Sequence, residues 1–140
     1  MKSTTSIPDS SALRILIVDD EPLIRWSLAN TLRDSGHEAV EAVNGATALR
    51  AVAEAEVPFD VVLLDLRLPD SMDLGLLAQL RRVTPSTSAV LMTAYGTPEV
   101  VQGAFDLGAI RVVGKPLDMT DVPSLVSQAY AAGRSSTRLY

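Results

Sequence analysis

The chain has 140 residues, 47% hydrophobic and 21% charged, a balance that suits one globular domain burying its own core. It holds no cysteine and one histidine, which excludes disulfides, thiolate chemistry, cysteine metal sites and a polyhistidine metal centre. A formal net charge of −5 argues against direct nucleic-acid binding, which needs a basic surface.

Residues 1–12 are rich in Ser and Thr, contain Pro8 and read as a flexible lead-in. They lack the apolar stretch of a signal peptide, and no apolar run approaches membrane-spanning length. The expectation is a soluble cytoplasmic protein with no membrane partner. Residues 13–18 (LRILIV) are almost continuously apolar, the pattern of a strand buried on both faces. Asp19, Asp20 and Glu21 follow at once. Pro22 suits a first helical turn. The helix is predicted over 22–34, with Ile24, Leu28 and Leu32 on its apolar face, Leu23 beside them and Trp26 off that line. Ser35-Gly36 stops it. A short strand is predicted over 37–42, with His37 a surface residue at its start. Asn44-Gly45 is a turn signal, and 46–55 an alanine-rich helix with Leu49 and Val52 inward.

Pro58 breaks the chain before FDVVLLDLRLP (59–69), the stretch around which the rest is organised. Residues 61–64 form the central strand, and Asp65 falls where the apolar run stops. A polar connection at 71–73 leads to a helix over 74–83 with Leu76, Leu77 and Leu80 packed down. The fourth strand, 88–92, ends at Thr93. Thr97 caps the next helix, with Pro98 at its first position and Val100, Val101, Ala104 and Leu107 on its buried side; Gly108 ends it. The fifth strand is 110–113, followed by Lys115-Pro116. The last helix starts around Thr120, carries Leu125, Val126 and Tyr130, and fades before Gly133. The domain is placed at 13–132, and 133–140 is read as a tail or linker remnant.

Five strand-helix units in alternation predict an α/β fold, a doubly wound parallel sheet of five strands. Asp19, Asp20, Asp65, Thr93 and Lys115 all fall just after strands, so they gather at the carboxyl edge of the sheet, where open α/β sheets bind ligands. There is no GxxxxGK[ST] or GxGxxG phosphate cradle. Asp19, Asp20 and Asp65 together need a counter-charge, and Mg²⁺, a hard cation that prefers oxygen, is the natural one. Lys115 can hold one anionic oxygen and the Thr93 hydroxyl another. These groups describe a phosphoryl-transfer centre with Asp65 as nucleophile. Blander readings stay open residue by residue: Asp19 or Asp20 as a helix cap, Thr93 as a strand-end residue, Lys115 as a solvated lysine.

ILIVDDE (15–21), VVLLDLRLPD (61–70), LMTAYG (91–96) and VVGKPL (112–117) resemble the receiver domain of two-component response regulators. The resemblance covers about residues 13–131. PLIRWSLANTL and TAYG are most similar to receivers of the NtrC-like and PrrA/ActR-like groups. The resemblance implies a CheY-like, flavodoxin-like (βα)5 fold with strand order 2-1-3-4-5. It implies that Asp65 accepts a phosphoryl group from a sensor histidine kinase, that Asp20 ligates Mg²⁺ directly, that Asp19 holds it directly or through water, and that the Arg67 backbone carbonyl is a third ligand. Lys115 pairs with a phosphoryl oxygen. Thr93 moves to the phosphate and remodels the face of the fourth helix, fifth strand and fifth helix, where a homodimer can form. The Lys115-Pro116 bond is cis in the family, and Arg67 and Tyr95 stand where phosphate lifetime is set. Trp26 is read either as edge packing or as part of a kinase-docking surface.

Two departures from the family pattern stand out. The loop after Pro69 reads PDSMDLGLL, with Ser71 and Asp73 where glycines are common and Asp73 read as a left-handed turn residue or a helix cap. Val112 replaces the usual aromatic switch residue, leaving Tyr95 to take over part of that role. Two other classes compete. A small-molecule phosphatase would need a second acid where Arg67 stands. A receiver-like interaction module working without phosphorylation is the main alternative, kept open by Asp73 and Val112. An output domain, expected C-terminal to a receiver, is not legible in these residues.

Overall fold

In the computed structural model, residues 12–71 and 73–138 are described; most of the lead-in, residues 1–11, and the last two residues of the tail lie outside them. Among the described residues, five strands alternate with five α-helices. They are β1 (Arg14–Val18), α1 (Pro22–Asp34), β2 (Glu38–Ala42), α2 (Gly45–Glu54), β3 (Val61–Asp65), α3 (Gly75–Val83), β4 (Ser88–Thr93), α4 (Pro98–Asp106), β5 (Arg111–Gly114) and α5 (Val122–Arg138), with a 3₁₀ turn at Met119–Asp121 before the last. All pairings are parallel and the order across the sheet is β2-β1-β3-β4-β5, the expected 2-1-3-4-5.

The sheet has two dry faces because successive side chains of a strand point to opposite sides. Ile15, Ile17, Val61, Leu63, Val90 and Met92 meet Leu28 and Leu32 of α1 and Val122, Leu125 and Val126 of α5. Leu16, Val18, Val62, Leu64 and Leu91 meet Ala48 of α2, Leu76, Leu77 and Leu80 of α3, and Ala104 of α4. The central strand β3 is buried at every position. Its continuous apolar run therefore reflects two helical layers rather than one.

Local chemistry sets the helix ends. Asn44 caps α2, accepting the Thr47 N–H while the Thr47 hydroxyl accepts the Asn44 N–H, so the turn signal is a capping box. Thr97 accepts the Val100 N–H at 3.3 Å. Gly36 and Gly108 adopt φ of 94° and 101°, the left-handed region that lets the chain leave α1 and α4.

Four expectations are corrected. Leu23 is 74% exposed; it sits in the first turn of α1, rotated off the Ile24–Leu28–Leu32 line. Leu107 is the exposed C-cap of α4, beyond the buried face. His37 is buried, because its Nδ1 accepts the Leu13 N–H at 3.0 Å and ties the start of β1 to β2. α5 does not fade before Gly133 but continues to Arg138; one glycine costs a helix about 1 kcal/mol, too little to end it. Trp26, on the open side of α1, is 59% exposed. No described helix is long and apolar enough to cross a membrane.

Candidate phosphoacceptor and metal site

The carboxyl ends of β1, β3, β4 and β5 converge on one cleft of about 390 Å³, lined among others by Asp20, Glu21, Asp65, Arg67, Thr93 and Lys115. Each side chain is delivered by a strand end. Asp19 follows β1 and is fully buried. Its Oδ1 accepts the Glu21 N–H at 2.9 Å, which turns the chain into α1. Asp65 is the last residue of β3; its Oδ1 accepts the Arg67 N–H at 3.2 Å. Thr93 ends β4, buried, with its Oγ1 accepting the Tyr95 N–H at 3.0 Å. Lys115 directly follows β5, the bond after it to Pro116 is cis, as the resemblance implied, and the Lys115 backbone N–H donates to the Thr93 carbonyl at 2.9 Å.

Lys115 is the hub. Its Nζ lies 2.9 Å from Asp19 Oδ2, 3.2 Å from Glu21 Oε1 and 3.2 Å from Asp65 Oδ2. Burial alone lowers the Lys115 ammonium, but Asp19, then Asp65 and Glu21, outweigh it and hold it above its ordinary range. Asp65 is pushed above the usual carboxylate range, first by burial and then by the charge of Asp19; Lys115 and the Arg67 N–H pull it partly back.

Does the notch suit a divalent ion? Carboxylate oxygens of Asp19, Glu21 and Asp65 lie within 4.8 Å of one another. Asp19 Oδ2 is buried and held in an ion pair 2.9 Å from the Lys115 ammonium, so a single lysine faces three carboxylates. An oxygen-rich donor set of three clustered carboxylates fits a hard cation such as Mg²⁺.

Asp20 lines the cleft from its exposed rim and lies outside the tight carboxylate cluster, whose third member is Glu21. Glu21 had no assigned role in the sequence; the available signal was a third consecutive acid after the strand. Arg67 lines the cleft and carries its guanidinium 4.7 Å from the ring centroid of the exposed Tyr95. Val112 packs half-buried against the α2–α4 layer and Pro116 lines a different surface hollow, so neither reaches the cleft. Asp73 accepts the Gly75 N–H at 2.8 Å ahead of α3.

Known proteins match this arrangement. The model of the response regulator receiver domain family matches residues 15–127. Regulatory protein AtoC of Escherichia coli K12 is 38% identical over 116 residues, 83% of this chain but 25% of AtoC. Sporulation initiation phosphotransferase F of Bacillus subtilis is 33% identical, over 82% of this chain and 91% of that protein. A solved CheY-like receiver domain from Methanospirillum hungatei JF-1 superposes with a TM-score of 0.82 at 25% identity, covering 89% of this chain and 98% of the other. This chain thus spans about a quarter of one curated relative and nearly all of another. With the fold, the acidic notch and a family match over most of its length in agreement, the chain belongs to the response regulator receiver domain family.

Proposed function

We propose that Asp65 accepts a phosphoryl group from a histidine-phosphorylated sensor kinase in a Mg²⁺-dependent reaction, and that this switches the α4–β5–α5 face toward an output domain or partner. The observation that carries the reading is Asp65 Oδ2 held 3.2 Å from Lys115 Nζ within the carboxylate cluster of Asp19, Glu21 and Asp65. A carboxylate oxygen of Asp65 forms the bond to phosphorus as the P–N bond to the kinase imidazole breaks. The imidazole nitrogen keeps that electron pair and takes a proton. Lys115 turns from Asp65 Oδ2 to a phosphoryl oxygen. The Thr93 hydroxyl, an acceptor from Tyr95 N–H, donates its own proton to another. Asp19, Asp20, Asp65 and the Arg67 carbonyl would hold Mg²⁺, with Glu21 close by. The ion, when bound, neutralises charge on the transferring group.

Phosphorylation and its reversal on Asp65 are the only chemistry assigned to this domain. Thr93 movement is the start of the switch. With Val112 unable to swing a ring, the Tyr95–Arg67 pair and the backbone after β4 carry it outward, with the α4–β5–α5 face also the place for a homodimer. The test is intact-mass measurement after incubation with Mg²⁺ and a small phosphodonor. The parent gains one phosphoryl group and Asp65→Asn gains none; a parent that gains nothing refutes the reading.

A further inference from the structure

We infer that Asp70 is a positioning residue for the metal notch, its carboxylate clamping the loop that carries Arg67 to the first turn of α2. This rests on the reading of the Arg67 carbonyl as an ion ligand. Asp70 lies five positions past Asp65 and does not line the cleft. Its Oδ1 accepts the Gly45 N–H at 2.8 Å and its Oδ2 accepts the Ala46 N–H at 3.1 Å. Both are first-turn N–H groups with no partner inside their helix, and the positive end of the helix favours an anion there. Contact is close: a Cβ on Gly45 would stand 3.2 Å from Asp70 Oδ1.

α2 does not need Asp70 as its local cap, because Asn44 and Thr47 already form one. What the long-range clamp fixes is the loop. On the strand side, Leu66 N–H donates to the Met92 carbonyl at 3.0 Å and Arg67 N–H to Asp65 Oδ1 at 3.2 Å. On the far side, Leu68 and Ser71 exchange backbone hydrogen bonds of 2.9 and 3.2 Å. The Arg67 carbonyl lies between these anchors, and Asp70 ties the far one to a helix. The loop holds its path with carboxylates at 65, 70 and 73, the last of them where the family pattern commonly has a glycine.

Calorimetric titration with Mg²⁺ tests the clamp. Asp70→Ala is expected to bind Mg²⁺ about tenfold more weakly than the parent, the scale of an outer-shell loss. Asn44→Ala weakens the same helix from its local side and is expected to keep the parent affinity at a comparable loss of thermal stability. Should Asp70→Ala not fold, Asp70→Asn is read in its place, and parent affinity there overturns the clamp. Parent affinity in Asp70→Ala, or an equal loss in Asn44→Ala, also overturns it while leaving the phosphoacceptor reading intact. A parent that binds no Mg²⁺ sinks both.

Discussion

Asp65 sits where its surroundings disfavour the charged form. Its carboxyl is raised, first by burial and then by Asp19, so ionising it weakens the fold. A raised folded value means stability that is complete below the unfolded pKa and lost as pH rises through the folded one. Asp65→Asn is therefore expected to melt higher than the parent at neutral pH without Mg²⁺, with the gap closing in acid; scanning calorimetry across pH reads it. His37 has the opposite sign. Burial lowers its imidazole below 6.5, so its contribution is present above that value and lost as pH falls through the folded one. His37→Asn, which keeps an acceptor near Nδ1 for the Leu13 N–H, is expected to flatten this acid loss in denaturant titrations. Arg67 at the cleft stacks on Tyr95, a contact of about 0.5–1 kcal/mol, and we propose that the pair shields Asp65 from water. Replacing both with small polar residues is expected to speed loss of the phosphoryl group several-fold, followed by mass spectrometry; an unchanged rate removes the shielding role.

Among the elements, each strand–helix unit was legible because its signals are local. Apolar runs mark strands at 14–18, 61–65 and 88–93, Pro22 and Pro98 open helices, and Gly36 and Gly108 close them. Helix α1 was bounded to the residue for this reason. The misses share a different cause: they depend on what lies opposite in space. His37 is buried where β1 starts beside it, and Leu23 is exposed although its neighbour Ile24 packs on the core. In the site, strand-end positions made Asp65, Thr93 and Lys115 legible, whereas Glu21 in the carboxylate cluster and Asp70 on α2 are contacts that spacing does not announce. The α1 layer also gives a stability prediction. Leu28 is fully buried, and Leu28→Ala is expected to cost about 2–5 kcal/mol in denaturant unfolding, whereas Leu23→Ala on the same helix is expected to change little.

For the molecule as a whole, the acidic notch gathers three carboxylates against one lysine at the carboxyl edge of the sheet. An ion that binds only the folded chain raises stability by mass action, about 2.7 kcal/mol at a hundred times its dissociation constant. Mg²⁺ is expected to raise the melting temperature of the parent, and Asp19→Asn to remove most of that rise. The sheet itself sorts alternate side chains into two clusters, one shared with α1 and α5 and the other with α2, α3 and α4. It is thus a partition between two compartments, with the site residues at the strand ends along its rim. Substitutions that reshape the outer surface of one compartment need no matching change in the other, so recognition of different partners can diversify on either flank while the chemistry at the shared rim stays the same.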